Sequence, residues 1–177
     1  MCGIVGYIGS KQASPVLIEG LERLSYRGYD SAGVAVFDGE RIEMVKASGS
    51  VEHLAELTDG GAKLRGTSGI AHTRWATHGA PTDTNAHPHL SENGRFAVIH
   101  NGIVENFAAL RAELEGEGYV FASETDTEVV AHLLEKYYDG DLKRTVMRTA
   151  SRLEGSYVLG VLCADEPGRL FCVKEAG

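Results

Sequence analysis

The sequence predicts an α+β fold. Its strand candidates come in groups separated by helix candidates, several strands are joined by hairpins, and no regular βαβ alternation runs through the chain. At 177 residues the chain suits one domain, large enough to bury roughly 70% of the surface its unfolded form exposes. It is 43% hydrophobic and 24% charged, the composition of an ordinary globular protein.

Residues 3–8 are short, apolar and β-branched, the pattern of a buried strand, and Gly9 closes them. Ser14-Pro15 reads as an N-cap followed by proline at the first helical position. Val16, Leu17, Leu21 and Leu24 continue at helical spacing until Gly28. Residues 32–37 and 41–47 are two apolar-rich strands joined through Asp38-Gly39, a hairpin signal. A short helix is expected over 51–58 and a strand over 67–73, followed by a polar, histidine-rich loop from Arg74 to about Ser91. Arg95 to His100 reads as a strand that ends at Asn101-Gly102, and Phe107, Leu110 and Leu114 mark a helix stopped by Gly116 or Gly118. Thr125-Asp126-Thr127-Glu128 has the capping-box pattern, with Val129, Val130, Leu133 and Leu134 continuing a helix. Asp141 caps a further helix with Leu142, Val146, Ala150 and Leu153 inward, and strands near 156–163 and 169–173 close the chain.

Several function classes are excluded. Twenty-five acidic against 17 basic residues give a net charge of −8, and no basic block is present, so nucleic acid is not an expected partner. The N-terminus lacks the basic and long apolar regions of a signal peptide. No apolar run approaches the ~20 residues of a membrane helix, so no membrane partner is expected. Three widely spaced cysteines, Cys2, Cys163 and Cys172, form neither a disulfide framework nor a zinc pattern. A reducing cytoplasm is the expected location.

Four clusters carry possible chemistry. Removal of Met1 would leave Cys2 with a free α-amine of pKa about 7.7–8.0, placing nucleophile and base on one residue; the competing reading is a small buried residue on a first strand. His72-Thr73-Arg74-Trp75-Ala76-Thr77-His78-Gly79 offers a guanidinium fork for a carboxylate, with hydroxyl and imidazole donors beside it; the competing reading is a surface turn with Trp75 packed as core. In His100-Asn101-Gly102, a side-chain amide and a backbone N–H can form an oxyanion hole, or Asn-Gly is a simple turn. In Ser123-Glu124-Thr125-Asp126-Thr127-Glu128, a helix cap accounts for Thr125 and Glu128, and Asp126 is left to pair with a substrate ammonium.

Five stretches decide between these readings: MCGIVGYIG, LSYRGYDSAG, GIAHTRWATHGAPTDTNAHPH, HNGIVEN and SETDTEVVAH, in that order over residues 1–132. Together they resemble the glutaminase part of class II, N-terminal-nucleophile glutamine amidotransferases, and within that class the glutamine–fructose-6-phosphate aminotransferase family. The start Cys-Gly-Ile is common to the whole class, whereas YRGYDSAG and RWATHG…NAHPH are more specific. The resemblance implies a four-layer αββα sandwich with the nucleophile on the first strand. It implies that Cys2 attacks the side-chain amide of L-glutamine, that Asn101 and Gly102 hold the oxyanion, and that Arg74, helped by Thr77 and His78, binds the α-carboxylate. Asp126 would bind the α-ammonium, Trp75 would gate the passage for ammonia, and Arg27 and Gly28 would border the nucleophile's amine. It implies no cofactor and no metal. The family's sugar-isomerising part, where fructose 6-phosphate is aminated, is absent from the sequence. The glutaminase domain is expected to span 1–177 and to be incomplete at its C-terminus. The full-length family is expected to form homodimers.

Two rivals remain. His72, His78, His87, His89 and His100 lie within 29 positions, and imidazole is the commonest metal ligand; no HExxH pair accompanies them. A non-catalytic glutamine-binding module is the other. Cys163 and Cys172, on apolar strands, are expected to be core residues closed to labelling.

Overall fold

The computed structural model describes residues 2–76 and 79–175, the side chain of Arg27 excepted. Among the described residues, eight strands form two antiparallel four-stranded sheets. The first contains β1 (Gly3–Ile8), β2 (Ser31–Phe37), β3 (Ile42–Ser48) and β4 (Ser68–Arg74), in the order β1-β4-β2-β3. The second contains β5 (His89–Leu90), β6 (Phe96–Val104), β7 (Gly155–Cys163) and β8 (Leu170–Glu175), in that order. Helices α1 (Ala13–Leu24) and α2 (Val51–Thr58) cover the outside of the first sheet, and α3 (Phe107–Gly116), α4 (Thr127–Tyr137) and α5 (Leu142–Ala150) cover the second. The result is the four-layer αββα sandwich.

Strand alternation explains how three apolar layers arise from one chain. On β2, Ala32, Val34 and Val36 face α1 and α2, packing with Leu17, Leu21 and Leu54. The intervening Ala35 and Phe37 face the other sheet and meet Ile70, Ala97, Ile99 and Leu162. On β6 and β7, Phe96, Val98, Leu159 and Val161 pack under α4 with Val129, Val130, Leu133 and Leu134. A strand buried on both faces shows a continuous apolar run rather than alternation, which is how SAGVAVF reads.

Most predicted elements form, and the departures are local. Ser14 is not the cap of α1: it lies inside the helix, fully buried, and Gln12 precedes the first turn while its side chain accepts the Gly66 N–H. A 3-10 turn, Ser25–Arg27, follows α1 before Gly28. The strand from Phe96 does not stop at Asn101-Gly102 but runs through them to Val104, paired along its length with β7. Gly102 is accommodated at φ +110°, where a Cβ would sit 2.1 Å from the Ser156 carbonyl. The capping box before α4 does not form. Thr125 Oγ1 instead contacts His89 Nε2 (3.1 Å), and the Glu128 carboxylate accepts from the backbone N–H groups of Ala122 and Ser123 (2.8 and 2.7 Å). Asp126 occupies the N-cap position of α4 without a side-chain cap bond. By contrast Asp141 caps α5 as expected, accepting from the Arg144 N–H at 3.0 Å. Arg74, expected to open the loop, is the last residue of β4, and His89–Leu90 adds a short strand within the expected loop.

Candidate active site

Cys2 lies just before β1. The Gly3 N–H donates to Thr73 Oγ1 at 3.0 Å, anchoring the start of β1 to β4. Through the same pairing the end of β4 comes beside Cys2, and the Trp75 backbone N–H donates to Cys2 Sγ at 3.2 Å. The second sheet supplies the opposite wall: Asn101 Nδ2 lies 3.4 Å from the Cys2 carbonyl oxygen. Between the sheets is a cavity of about 270 Å³, lined by Cys2, Arg74, Trp75, Asn101, Gly102 and Asp126 among others. That volume lies just below the range of pockets for drug-sized ligands and is enough for a free amino acid.

The cavity has charges of both signs. Arg74 is 4% exposed and its guanidinium donates to the carbonyls of Gly79 and Ala80, each at 3.4 Å. Asp126 is 6% exposed; its Oδ2 accepts the Val104 N–H at 2.9 Å, and its Oδ1 is 3.7 Å from His100 Nδ1. Two opposite charges buried in one small cavity match a zwitterion, because each substrate charge then replaces lost water with an ionic partner. Trp75 is not core: it is 53% exposed. Gly28 does not line the cavity but flanks the Trp75 ring, where a Cβ would meet Cζ3 at 3.0 Å. Asp30 Oδ2 accepts the Ala76 N–H at 2.5 Å and so holds the segment after β4. Thr77, His78 and the side chain of Arg27 lie outside the described residues.

Four histidines form a buried group against this cavity. His72 and His87 stack with centroids 4.3 Å apart and planes 18° apart, and His87 meets His89 edge-on and His100 at longer range. The His100 N–H donates to His87 Nδ1 at 3.2 Å, so His87 carries its proton on Nε2, 3.3 Å from Thr127 Oγ1. Burial pushes His72 down to about 4, and burial lowers His87 and His89 as well. Burial thus keeps His72, His87 and His89 neutral, and the group is tied to hydroxyl, amide and backbone partners. Among the described residues no group of three or more His, Cys, Asp or Glu is arranged to hold a metal ion. Of the remaining cysteines, Cys163 is buried as expected, but Cys172, on the edge strand β8, is exposed.

The model of the glutamine amidotransferase domain family matches residues 72–177. The chain belongs to this family. Two bacterial relatives are similar over 99% of the chain: glutamine–fructose-6-phosphate aminotransferase [isomerizing] of Caldanaerobacter subterraneus subsp. tengcongensis, 57% identical, and that of Symbiobacterium thermophilum, 56% identical. The chain spans 29% of the length of each. Among solved structures, glutamine phosphoribosylpyrophosphate amidotransferase of B. subtilis superposes with a TM-score of 0.79 at 29% identity, over 93% of this chain and 35% of that one. The sandwich is thus that of the class II amidotransferases.

For this amidotransferase domain, motif reasoning named six of the residues that the cavity gathers, and missed others. Ile103 and Thr125 also line it, the first carrying no polar signal and the second having been explained away as a cap. His72, His87 and His100 line it too; the sequence places His72 and His100 beside Arg74 and Asn101 and groups all three as metal-ligand candidates, without giving any of them a role of its own. The Trp75 N–H at the sulfur is invisible to motif reasoning because any residue but proline has one.

Proposed function

We propose that residues 1–177 act as a glutaminase domain that hydrolyses L-glutamine to glutamate and ammonia through a thioester on Cys2. Once Met1 is removed, the Cys2 amine takes the thiol proton as Sγ attacks the side-chain amide carbon. The C–N bond then breaks, the proton passes to the departing nitrogen, and ammonia leaves. Water adds to the γ-glutamyl thioester, releasing glutamate and restoring the thiol. Asn101 and the Gly102 N–H stabilise the oxyanion formed in both steps, each donor being worth roughly 3–4 kcal/mol at the transition state. Arg74, with Thr77 and His78, takes the substrate carboxylate, and Asp126 takes its ammonium. Trp75 gates the ammonia, and Arg27 and Gly28 border the nucleophile.

The supporting observation is one cavity of about 270 Å³ bordered by a cysteine thiol, a side-chain amide, a guanidinium and a carboxylate. In the whole protein the ammonia converts fructose 6-phosphate to glucosamine 6-phosphate, a reading that rests on the names of the relatives. A homodimer and a reducing, cytoplasmic setting complete the proposal, the latter because the mechanism needs a free thiol at Cys2. Ammonia release from glutamine by Met1-free protein, beside a Cys2→Ala control, tests it. Activity that vanishes with Cys2 is expected. Glutamine binding without turnover or covalent adduct would instead identify a binding module.

A further inference from the structure

An asparagine amide has a donor end and an acceptor end, and nothing within the residue itself decides which faces the nucleophile. At Asn101 the acceptor end is occupied: Oδ1 lies 2.8 Å from His72 Nε2. The donor end, Nδ2, is therefore the one turned to Cys2, 3.4 Å from its carbonyl oxygen. We propose that His72 is a positioning residue, whose Nε2–H holds the Asn101 side-chain oxygen and so presents the Asn101 NH2 to the reacting centre. This rests on the glutaminase reading of the site and adds a residue to it.

Two features fix the required tautomer, and a third the plane of the ring. Nδ1 of His72 has no hydrogen-bond partner, so a proton there would be a buried donor without an acceptor, whereas a proton on Nε2 is satisfied by Asn101. The ring is wholly buried and neutral at physiological pH, so a single proton is shared between the two nitrogens. The parallel His87 ring, itself held through the His100 N–H, sets the plane of the His72 ring. Strand parity supplies the placement. Ile70, two residues before His72 on β4, packs in the inter-sheet layer with Ile99, two residues before Asn101 on β6. His72 and Asn101 follow on the same faces and meet across the gap between the sheets.

The test uses Met1-free protein and the kinetics of ammonia release. His72→Phe keeps a ring to stack on His87 but removes the donor, and His72→Gln keeps a donor near the Nε2 position. His72→Phe is expected to lower kcat by roughly 30-fold or more, approaching the ~100-fold or greater loss typical of a missing oxyanion donor, with KM for glutamine changed far less. His72→Gln should recover much of the rate. In an Asn101→Ala background, His72→Phe should cost almost nothing further, since the group it positions is gone. An unchanged kcat in His72→Phe, or an equal loss in both backgrounds, overturns the proposal. Nitrogen chemical shifts of the His72 ring in unmutated protein decide it independently of any variant's folding: a protonated Nε2 and bare Nδ1 are expected, and the reverse overturns it. Absence of Cys2-dependent ammonia release in the unmutated protein would refute the glutaminase reading instead, and the ring shifts would still show whether the His72–Asn101 contact has the stated polarity.

Discussion

At Cys2 the sulfur takes a hydrogen bond from the Trp75 N–H and shares a cavity with Asn101, Arg74 and Asp126, and each of these neighbours is expected to leave a different kinetic signature. On the proposed mechanism, Arg74→Ala or Asp126→Asn would strand one buried substrate charge, a loss of about 2–5 kcal/mol. Initial-rate kinetics should show it mainly as a rise in KM for glutamine of roughly 30-fold or more. If Asn101 holds the oxyanion as proposed, Asn101→Ala should instead lower kcat by about 100- to 1,000-fold, because such a donor is used fully only when the oxyanion forms. Thiol labelling is a third test at this scale. A small alkylating agent should modify Cys2 and the exposed Cys172 but not the buried Cys163, whose thiol burial pushes up, and peptide mass mapping reads all three. A glutamine-mimicking electrophile should select Cys2 over Cys172, because only Cys2 lines the cavity. Residue types were legible at this scale wherever chemistry demands a particular side chain. The Trp75 N–H and Ile103 were not, since one is backbone and the other has no distinguishing chemistry.

Elements show why some local signals held and others failed. Asp141 caps α5 on a solvent-exposed turn, with nothing competing for its carboxylate. Asp141→Ala should therefore cost about 1 kcal/mol, measured as a lower urea midpoint with unchanged m. The equivalent signal before α4 failed because Thr125 and Glu128 are buried and have stronger demands on them from His89, Ala122 and Ser123. Asn101-Gly102 misleads in the same way: the dipeptide reads as the end of a strand, where β6 continues. Partner β7 supplies pairs for both residues, and only glycine tolerates φ +110° against the Ser156 carbonyl. Gly102→Ala should destabilise the fold by more than about 1 kcal/mol, the scale on which alanine at compatible positions helps. Chemical denaturation, read alongside activity, will separate this loss from any effect on the oxyanion.

For the whole molecule, the consequence most open to measurement is its response to acid. His72, His87 and His89 are buried neutral, with His72 held down at about 4 against 6.5 when unfolded. As pH falls from 6.5 toward 4 the unfolded chain binds protons at these sites and the folded chain does not. Stability conferred by their lowered pKa is complete above 6.5 and is lost progressively below it. Equilibrium unfolding at pH 7.5, 6 and 5 should show a falling free energy, and His89→Gln should flatten the slope. A flat profile across that range would mean that the histidines are not held neutral. The same group lies where the two sheets, α4 and the residue 87–89 segment converge, so acid sensitivity and site geometry share one origin.

Amino-acid order alone determined the alternation of apolar residues along each strand, the helical spacing of α1 and α4, and the presence of a cysteine, an arginine, an asparagine and an aspartate in distinctive surroundings. These are legible because they depend on backbone periods and on the chemistry of single side chains. Tertiary structure decided which sheet faces which, and therefore that residues as distant as Cys2, His72, Asn101 and Asp126 border one cavity. It also decided that Thr125 binds a histidine rather than capping a helix. Such choices turn on competition between partners for the same buried polar group, and that competition exists only once the layers have closed.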